Sequence, residues 1–140
     1  RMWHMNTAIE IHDSRVGGIE EVDGLVIVHF LPAYLHQSKG RPGVDSGTGW
    51  VQEARLIFTD ASVSGNLPAW PCDSMSGEMI TGCERHDNSI PVPLEATKLT
   101  ELRLTCDSVH SVTIIGQSIK LELIGEPRYV EDFPGHKPCA

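Results

Sequence analysis

His12, Asp13 and Ser14 stand side by side in the sequence, and they are the residue types that a hydrolytic triad combines. Such a triad works only when its three groups converge in space. Consecutive residues of a strand point to opposite faces, so His12 and Asp13 would be kept apart. Aspartate and serine also favour turns through local backbone hydrogen bonds. We therefore interpret this stretch as the end of a strand entering a turn, and we predict no catalytic residue.

Metal chemistry depends on histidine, cysteine and carboxylate side chains at defined spacings. The seven histidines include no H-x-H or H-E-x-x-H pattern, and the four cysteines include no C-x-x-C pair. Those spacings bring two ligands to the same side of a local element. The sequence therefore predicts no metal site and no cofactor. One alternative stays open, a metal-dependent enzyme on a β-barrel with dispersed ligands, whose candidate histidines are His12, His29, His36 and His110.

Motifs for nucleophiles and phosphate binding are also missing. No G-x-S-x-G occurs, and the segment DSGTG at residues 45–49 lacks the lysine and the spacing of a phosphate-binding loop. The 19 acidic residues offer no distinct pair for glycosidase-like chemistry. These absences favour a protein that is not an enzyme.

The cysteines bear on the redox state and the location of the protein. They are Cys72, Cys83, Cys106 and Cys139, a density far below that of a disulfide-stabilised scaffold. We expect reduced thiols and a cytoplasmic protein, with Cys106 in the core of a strand. The alternative is a Cys72–Cys83 bridge in an oxidising compartment.

The charge balance limits the partners. Lysine and arginine total 11 against 19 aspartates and glutamates, which gives a net charge of −8 with neutral histidines. Nucleic acids and anionic membrane surfaces attract basic proteins, so we predict neither as a partner. The longest apolar run, residues 25–35, is too short to span a bilayer. The acidity permits a further alternative, an inhibitor or immunity-like protein that binds a basic enzyme.

All of these groups are positioned by a fold whose dominant hydrophobic period is two. Residues 50–59 alternate between an apolar and a charged face, and similar alternation runs through residues 99–106 and 118–124. Residues 24–30 are apolar on both faces, as in a covered central strand. About seven or eight short strands predict an all-β fold, an antiparallel β-sandwich or barrel. A jelly-roll-like arrangement is left open.

Turn residues separate these strands. Asp23 and Gly24 predict a tight hairpin, and the short links between the last three strands predict an antiparallel meander. Residues 32–38 allow at most one short helical turn. The glycine-rich residues 36–49 predict a mobile surface loop.

Aromatic side chains give the most informative functional signal. Trp50 opens a strand directly after the glycine-rich stretch, Trp70 lies between two prolines, and Tyr34 and Tyr129 lie near loops. Large aromatic surfaces at loop rims bind ligands or anchor partners. We therefore predict a small acidic β-domain that acts as a binding module through Trp50, Trp70, Tyr34 and His36. The competing interpretation is that the tryptophans fill the ends of the sandwich.

The chain ends set the expected domain and assembly. We treat residues 5–140 as a single β domain and residues 1–4 as an expression-tag remnant. The C-terminal residues from 125 onwards have little strand pattern and suit packing along an edge or against a neighbouring subunit. We therefore predict a small molecule or a protein as the partner, together with homo-oligomer formation.

Overall fold

The computed structural model describes residues 5–73 and 75–135, and every regular element within them is a β-strand. Residues 1–4, including the expected tag remnant, lie outside the described residues. Because all strand pairs are antiparallel, the predicted fold class is confirmed. The strands are β1 (Asn6–Glu10), β2 (Val16–Val22), β3 (Leu25–Ser38), β4 (Gly47–Thr59), β5 (Ser62–Gly65), β6 (Met75–Thr81), β7 (Glu84–Asp87), β8 (Ser89–Val92), β9 (Glu95–Ala96), β10 (Thr100–Cys106), β11 (His110–Gly116) and β12 (Ser118–Phe133).

The strands form two sheets. The larger sheet has seven strands in the order β8-β1-β3-β4-β12-β9, with β2 also paired to β3. The smaller sheet has five strands in the order β5-β11-β10-β6-β7. Strand β3 is long enough for β2 to pair with its first half and β1 with its second half. Strands β2 and β1 therefore lie one after the other along the same edge of β3.

The hydrophobic core lies between the sheets and follows the period of two. On β4 the residues Ala54, Leu56 and Phe58 are fully buried, and Arg55 on the opposite face is only partly buried. The core row of β10 includes Leu102 and ends at Cys106, as its alternation predicts. Alternation of this kind is what two packed sheets require.

The long strands β3 and β12 are irregular at neighbouring positions along β4. Leu31 and Pro32 of β3 lie opposite the single residue Glu53 of β4, and residues 125–127 of β12 lie opposite the single residue Gln52. Such bulges bend a strand and increase its twist. Between them the side-chain amide of Gln52 donates a 2.7 Å hydrogen bond to the Gly125 carbonyl. Beyond Gln52 the three strands continue as residues 34–38 of β3, 47–51 of β4 and 128–133 of β12. We call these residues the distal segment, and they carry the candidate site.

Two predicted turns are confirmed. His12 and Asp13 are exposed in the turn that connects β1 to β2. The Ser14 hydroxyl is bonded there to backbone: it donates to the Glu10 carbonyl at 2.7 Å and accepts the Tyr34 N–H at 2.9 Å. The residue pair 23–24 forms the tight hairpin between β2 and β3.

The structure differs from the expectation for residues 36–49, and it does not use the helical turn that residues 32–38 allow. Residues 32–38 form no helical turn because they belong to β3, where Pro32 is tolerated at a bulge. The connection between β3 and β4 comprises only residues 39–46, so the surface loop is shorter than expected. The glycines of the predicted loop include two strand positions, Gly47 and Gly49, where the structure needs the absence of a side chain.

The predicted meander of the last three strands is also wrong. Strands β10 and β11 form a hairpin, but β12 pairs with β4 and β9 of the other sheet. The short link at residue 117 therefore crosses from one sheet to the other. A short connection limits how far the chain travels and does not dictate that both strands share a sheet.

The cysteine predictions need a correction. Cys72 and Cys106 form a disulfide with their Cα atoms 6.4 Å apart, and Cys83 is a free, exposed thiol. Cys72 is bonded to Val16 of β2 by two backbone hydrogen bonds of 2.9 Å, and Cys106 ends β10. The disulfide therefore links the two sheets. The expectation of reduced thiols and the alternative Cys72–Cys83 bridge are both wrong, while the fourth cysteine, Cys139, lies outside the described residues.

Candidate functional site

The outer face of the distal segment, which faces away from the core, carries a hydrogen bond that spans three strands. Tyr34 of β3 donates its hydroxyl proton to Glu131 of β12 at 2.7 Å, and β4 lies between them. The Tyr34 side chain lies directly over Gly49, where a Cβ atom would collide with the phenol oxygen. Burial, followed by the bond to Glu131, raises the pKa of Tyr34, so the phenol is a neutral donor. The Glu131 carboxylate is the charged acceptor.

A second aromatic contact lies one step further along the same face. The His36 ring meets the Phe133 ring edge-on, with centroids 4.5 Å apart. A Cβ atom at Gly47 would lie 3.0 Å from His36 Nε2 and would also collide with the Gln37 carbonyl. Glycine at alternate positions of β4 therefore allows side chains from β3 to reach β12.

His36 is held as a neutral base inside the protein. The residue is fully buried, its Nδ1 accepts the Gly43 N–H, and its Nε2 has no hydrogen-bond partner among the described residues. Because Nδ1 is the acceptor, the proton of the neutral ring is on Nε2. Burial lowers the pKa of His36. The ring therefore anchors the loop after β3 and is not available to a ligand at the surface.

The inner face of the distal segment carries a pair of aromatic rings. Trp50 of β4 and Tyr129 of β12 are opposite each other in the strand register, with ring centroids 5.5 Å apart and planes at 78°. Trp50 is partly buried against the core, whereas Tyr129 is 50% exposed. Such edge-to-face pairs stabilise each other beyond their buried area. The pair therefore has one anchored ring and one ring that faces solvent.

The polar atoms of both rings already have partners. Trp50 Nε1 donates to the Thr48 hydroxyl at 2.8 Å, and the Tyr129 hydroxyl donates to Asp132 at 2.6 Å. The bond to Asp132 is the largest cause of a raised pKa of Tyr129. Since the hydrogen-bonding atoms are occupied, what the exposed ring offers to a partner is its apolar surface and its π-electrons.

Exposed apolar side chains continue along β12 on both sides of the bulge. Leu123 lies opposite the buried Ala54 in the register, yet it is 40% exposed, and Val130 is 46% exposed. β9 pairs with β12 only at Ile119 and Lys120. In the described part of the chain, the outer edge of β12 from Glu122 onwards therefore has no strand beside it.

Two adjacent carboxylates complete this end of β12. Glu131 and Asp132 are exposed, each accepts a tyrosine hydroxyl, and neither forms an ion pair within residues 5–73 and 75–135. Other acids of the fold do have cationic partners: Glu122 pairs with Arg55, and Glu78 pairs with both Arg85 and Arg103. We call the group of Trp50, Tyr129, Glu131 and Asp132 the aromatic–acidic end.

The four residues that the sequence singles out occupy different places. Tyr34 and His36 are buried on the outer face, and Trp50 is partly buried on the inner face. Trp70 packs against the core two residues before the disulfide cysteine Cys72. The strand register brings Tyr34, His36 and Trp50 into the distal segment, but within the described structure no hydrogen bond or ring contact joins their side chains to one another. The proposed binding role of each stays a prediction.

Three of the four histidines of the metal hypothesis, His12, His29 and His36, contact different groups in different parts of the fold. His29 Nε2 lies 2.9 Å from Glu20, and His12 Nδ1 lies 3.3 Å from the carbonyl of Met75. Within residues 5–73 and 75–135, the one set of three potential ligand atoms within 4.8 Å belongs to Cys72, Cys106 and Asp107. Its two sulfurs are bonded to each other and are therefore not thiolate ligands.

Sequence reasoning did not assign Glu131, Asp132 or Tyr129 to the candidate site. One signal was present: glycine at positions 47 and 49 alternates with Thr48 and Trp50, which is unusual inside a strand and marks close approach of other groups. The partners themselves are more than 80 residues away in sequence, and no local pattern connects them.

The fold and this surface define a two-sheet antiparallel β-protein whose longest strand ends in exposed aromatic and acidic side chains. The chain matches no protein-family model, no curated protein and no solved structure. Within its described part, no helix has the length and apolar character to cross a membrane.

Proposed function

We propose that the protein is a recognition module that binds a partner protein through the aromatic–acidic end of β12. The observation that carries this proposal is the Trp50–Tyr129 pair. One ring is fixed by the core, and the other projects half of its surface into solvent with its hydroxyl already bonded. A rigid aromatic ring loses little conformational entropy on binding, which suits it to an interface anchor.

The surroundings of Tyr129 support this proposal. The exposed apolar residues Val130 and Leu123 belong to the same strand, and β12 has an open edge there in the described part of the chain. Interfaces combine such aromatic anchors with a polar rim. Glu131 and Asp132 provide that rim.

The test uses variants matched for exposure. The wild-type chain and the Tyr129→Ser variant are compared for capture of a partner, whose affinity is then measured with purified components by calorimetry. Val109→Ser is the control, because Val109 is an exposed apolar residue of the β10–β11 hairpin. We expect Val109→Ser to bind like the wild type and Tyr129→Ser to bind about 10- to 100-fold more weakly. Equal affinity of all three proteins contradicts the proposal.

Self-association is a second candidate, favoured by the open edge of β12. An unpaired strand edge is a template for another chain, although the bulges and charges of β12 reduce that tendency. Sedimentation velocity over a concentration series tests it. Val130→Lys should lower the dimer fraction, and Val109→Lys, with the same change away from β12, should not. A wild-type monomer at every concentration excludes this candidate.

The disulfide also affects the proposed location. The expectation of a cytoplasmic protein rests on reduced thiols, and the Cys72–Cys106 bond removes that support. Disulfides persist mainly in oxidising compartments. We therefore propose that the protein binds its partner in an oxidising compartment.

A further inference from the structure

The strongest unexplained feature of the surface is a pair of fixed carboxylates that have no cationic partner in the described part of the chain. Tyr34 orients Glu131 from one face of β12, and Tyr129 orients Asp132 from the other. Arg128 belongs to the same exposed strand end, yet it forms no ion pair with either of them in the described part of the chain. Two charges are thus held in place by neutral donors, and no cationic side chain among residues 5–73 and 75–135 forms an ion pair with them.

We propose that the aromatic–acidic end binds a basic side chain, lysine or arginine, of the partner protein. This inference rests on the proposed function and specifies the chemistry of the partner. The ring of Tyr129 offers a π-face for a cation, and Asp132, which lies on the same face of β12, offers an acceptor beside it. Glu131 adds negative charge from the opposite face. An ammonium or guanidinium group is stabilised by both the ring and the carboxylates.

Preorganisation strengthens this argument. A surface ion pair usually contributes little because two flexible side chains must be fixed. Here the tyrosine hydroxyls hold both carboxylates before the partner binds. The acidic side chains therefore lose little further conformational entropy when an ion pair forms. Tyr129 is itself packed against Trp50, which fixes the ring.

The net negative charge of the whole chain also favours a basic partner. With 19 acidic against 11 basic residues, the long-range field attracts a basic partner and repels an acidic one. This field is distributed over the protein and does not select one place on the surface. Selection therefore depends on the local combination of ring and carboxylates.

The experiment titrates a capped oligolysine peptide into the isotopically labelled full chain at low salt, with capped oligoglutamate as the opposite probe. The signals followed are the Trp50 indole N–H and the backbone amides of residues 129–132. The variant Glu131→Gln/Asp132→Asn removes both charges and keeps oxygen acceptors for the two tyrosine hydroxyls. The control Glu21→Gln/Glu95→Gln removes the same charge from exposed acids of β2 and β9.

We expect oligolysine to shift these signals in the wild type and in the control. Its apparent affinity should fall about tenfold in Glu131→Gln/Asp132→Asn, and oligoglutamate should cause no shift. An equal loss of affinity in both double variants assigns the effect to net charge and overturns the inference. Absence of any oligolysine shift also overturns it, whereas loss of partner binding in Tyr129→Ser would still support the proposed function.

Discussion

Tyr34 and Glu131 are joined by a 2.7 Å hydrogen bond although their strands, β3 and β12, are separated by β4. The bond exists because residue 49, which lies between them on the same face, is glycine. The three residues are distributed over almost a hundred positions of the chain. A local sequence feature, one glycine in a strand, thus determines where a carboxylate is held at the surface.

The Gly49→Ala variant tests this arrangement. The added methyl group would collide with the Tyr34 phenol oxygen, so we expect the variant to lose about 1–3 kcal/mol of unfolding free energy. Urea unfolding followed by fluorescence measures the loss. In a Tyr34→Phe background the hydroxyl is gone, and the same substitution should cost less.

Gly18→Ala is the matched control for this prediction, because a Cβ atom at Gly18 of β2 meets no atom within 4 Å. It should change the unfolding free energy by less than about 0.5 kcal/mol. If Gly49→Ala is equally neutral, the Tyr34 side chain does not lie over residue 49.

The strand content was predictable because burial acts on each strand locally. The alternation at Ala54, Leu56 and Phe58 appears directly in the sequence, and so does the hairpin at residues 23–24. The pairing of β12 with β4 was not predictable, since it joins strands more than 50 residues apart. Periodicity records which face is buried and carries no information about the neighbouring strand.

The disulfide should make a large contribution to stability. Cys72 and Cys106 are 34 residues apart in sequence, and closing a loop of that length restricts the unfolded chain by about 3–4 kcal/mol. The Cys72→Ala/Cys106→Ala variant should lose about that much unfolding free energy in denaturant titrations. Reductant should destabilise the wild type and leave the double variant unchanged.

Cys83→Ser provides the comparison, because Cys83 is free and exposed. Its unfolding free energy should match that of the wild type within about 0.5 kcal/mol. Peptide mapping without reductant should recover a linked Cys72–Cys106 peptide. Recovery of a linked Cys72–Cys83 peptide would contradict the structure.

The cysteine partners illustrate the limit of sequence spacing. Cys72 and Cys83 are closer in the chain, but Cys83 lies at the exposed hairpin between β6 and β7. Cys72 is instead placed beside the end of β10 by its backbone pairing with Val16. Disulfide geometry is decided by the distance between Cα atoms in the fold, which spacing alone does not supply.

Stability should depend on pH through His36. Burial lowers the pKa of this imidazole, and protonation would also replace the acceptor at Nδ1 with a donor facing the Gly43 N–H. The unfolded chain then binds more protons than the folded one, so stability rises with pH in this range. The contribution is complete above the unfolded value of about 6.5 and is lost as the pH falls from there through the lower folded pKa.

Unfolding free energies of the wild type and of His36→Gln, measured between about pH 7.5 and pH 5, test this expectation. The wild type should lose more stability on acidification, because both chains share every other titrating group. His12→Gln, which changes an exposed histidine, should retain the steeper wild-type dependence. Parallel curves for the wild type and His36→Gln would show that this ring does not control the acid response.

Substitutions of Trp50 and Tyr129 should differ in their effect on stability, because Trp50 has a structural role and Tyr129 has the proposed binding role. Trp50 packs against the core, so Trp50→Ala should lose about 2–3 kcal/mol of unfolding free energy. Tyr129 is half exposed, and Tyr129→Ser should lose less than about 1 kcal/mol, since surface substitutions seldom cost more. Urea denaturation of the two variants measures the difference. A similar large loss for both would mean that Tyr129 serves mainly to close the end of the sandwich, as the competing interpretation of the aromatic residues holds.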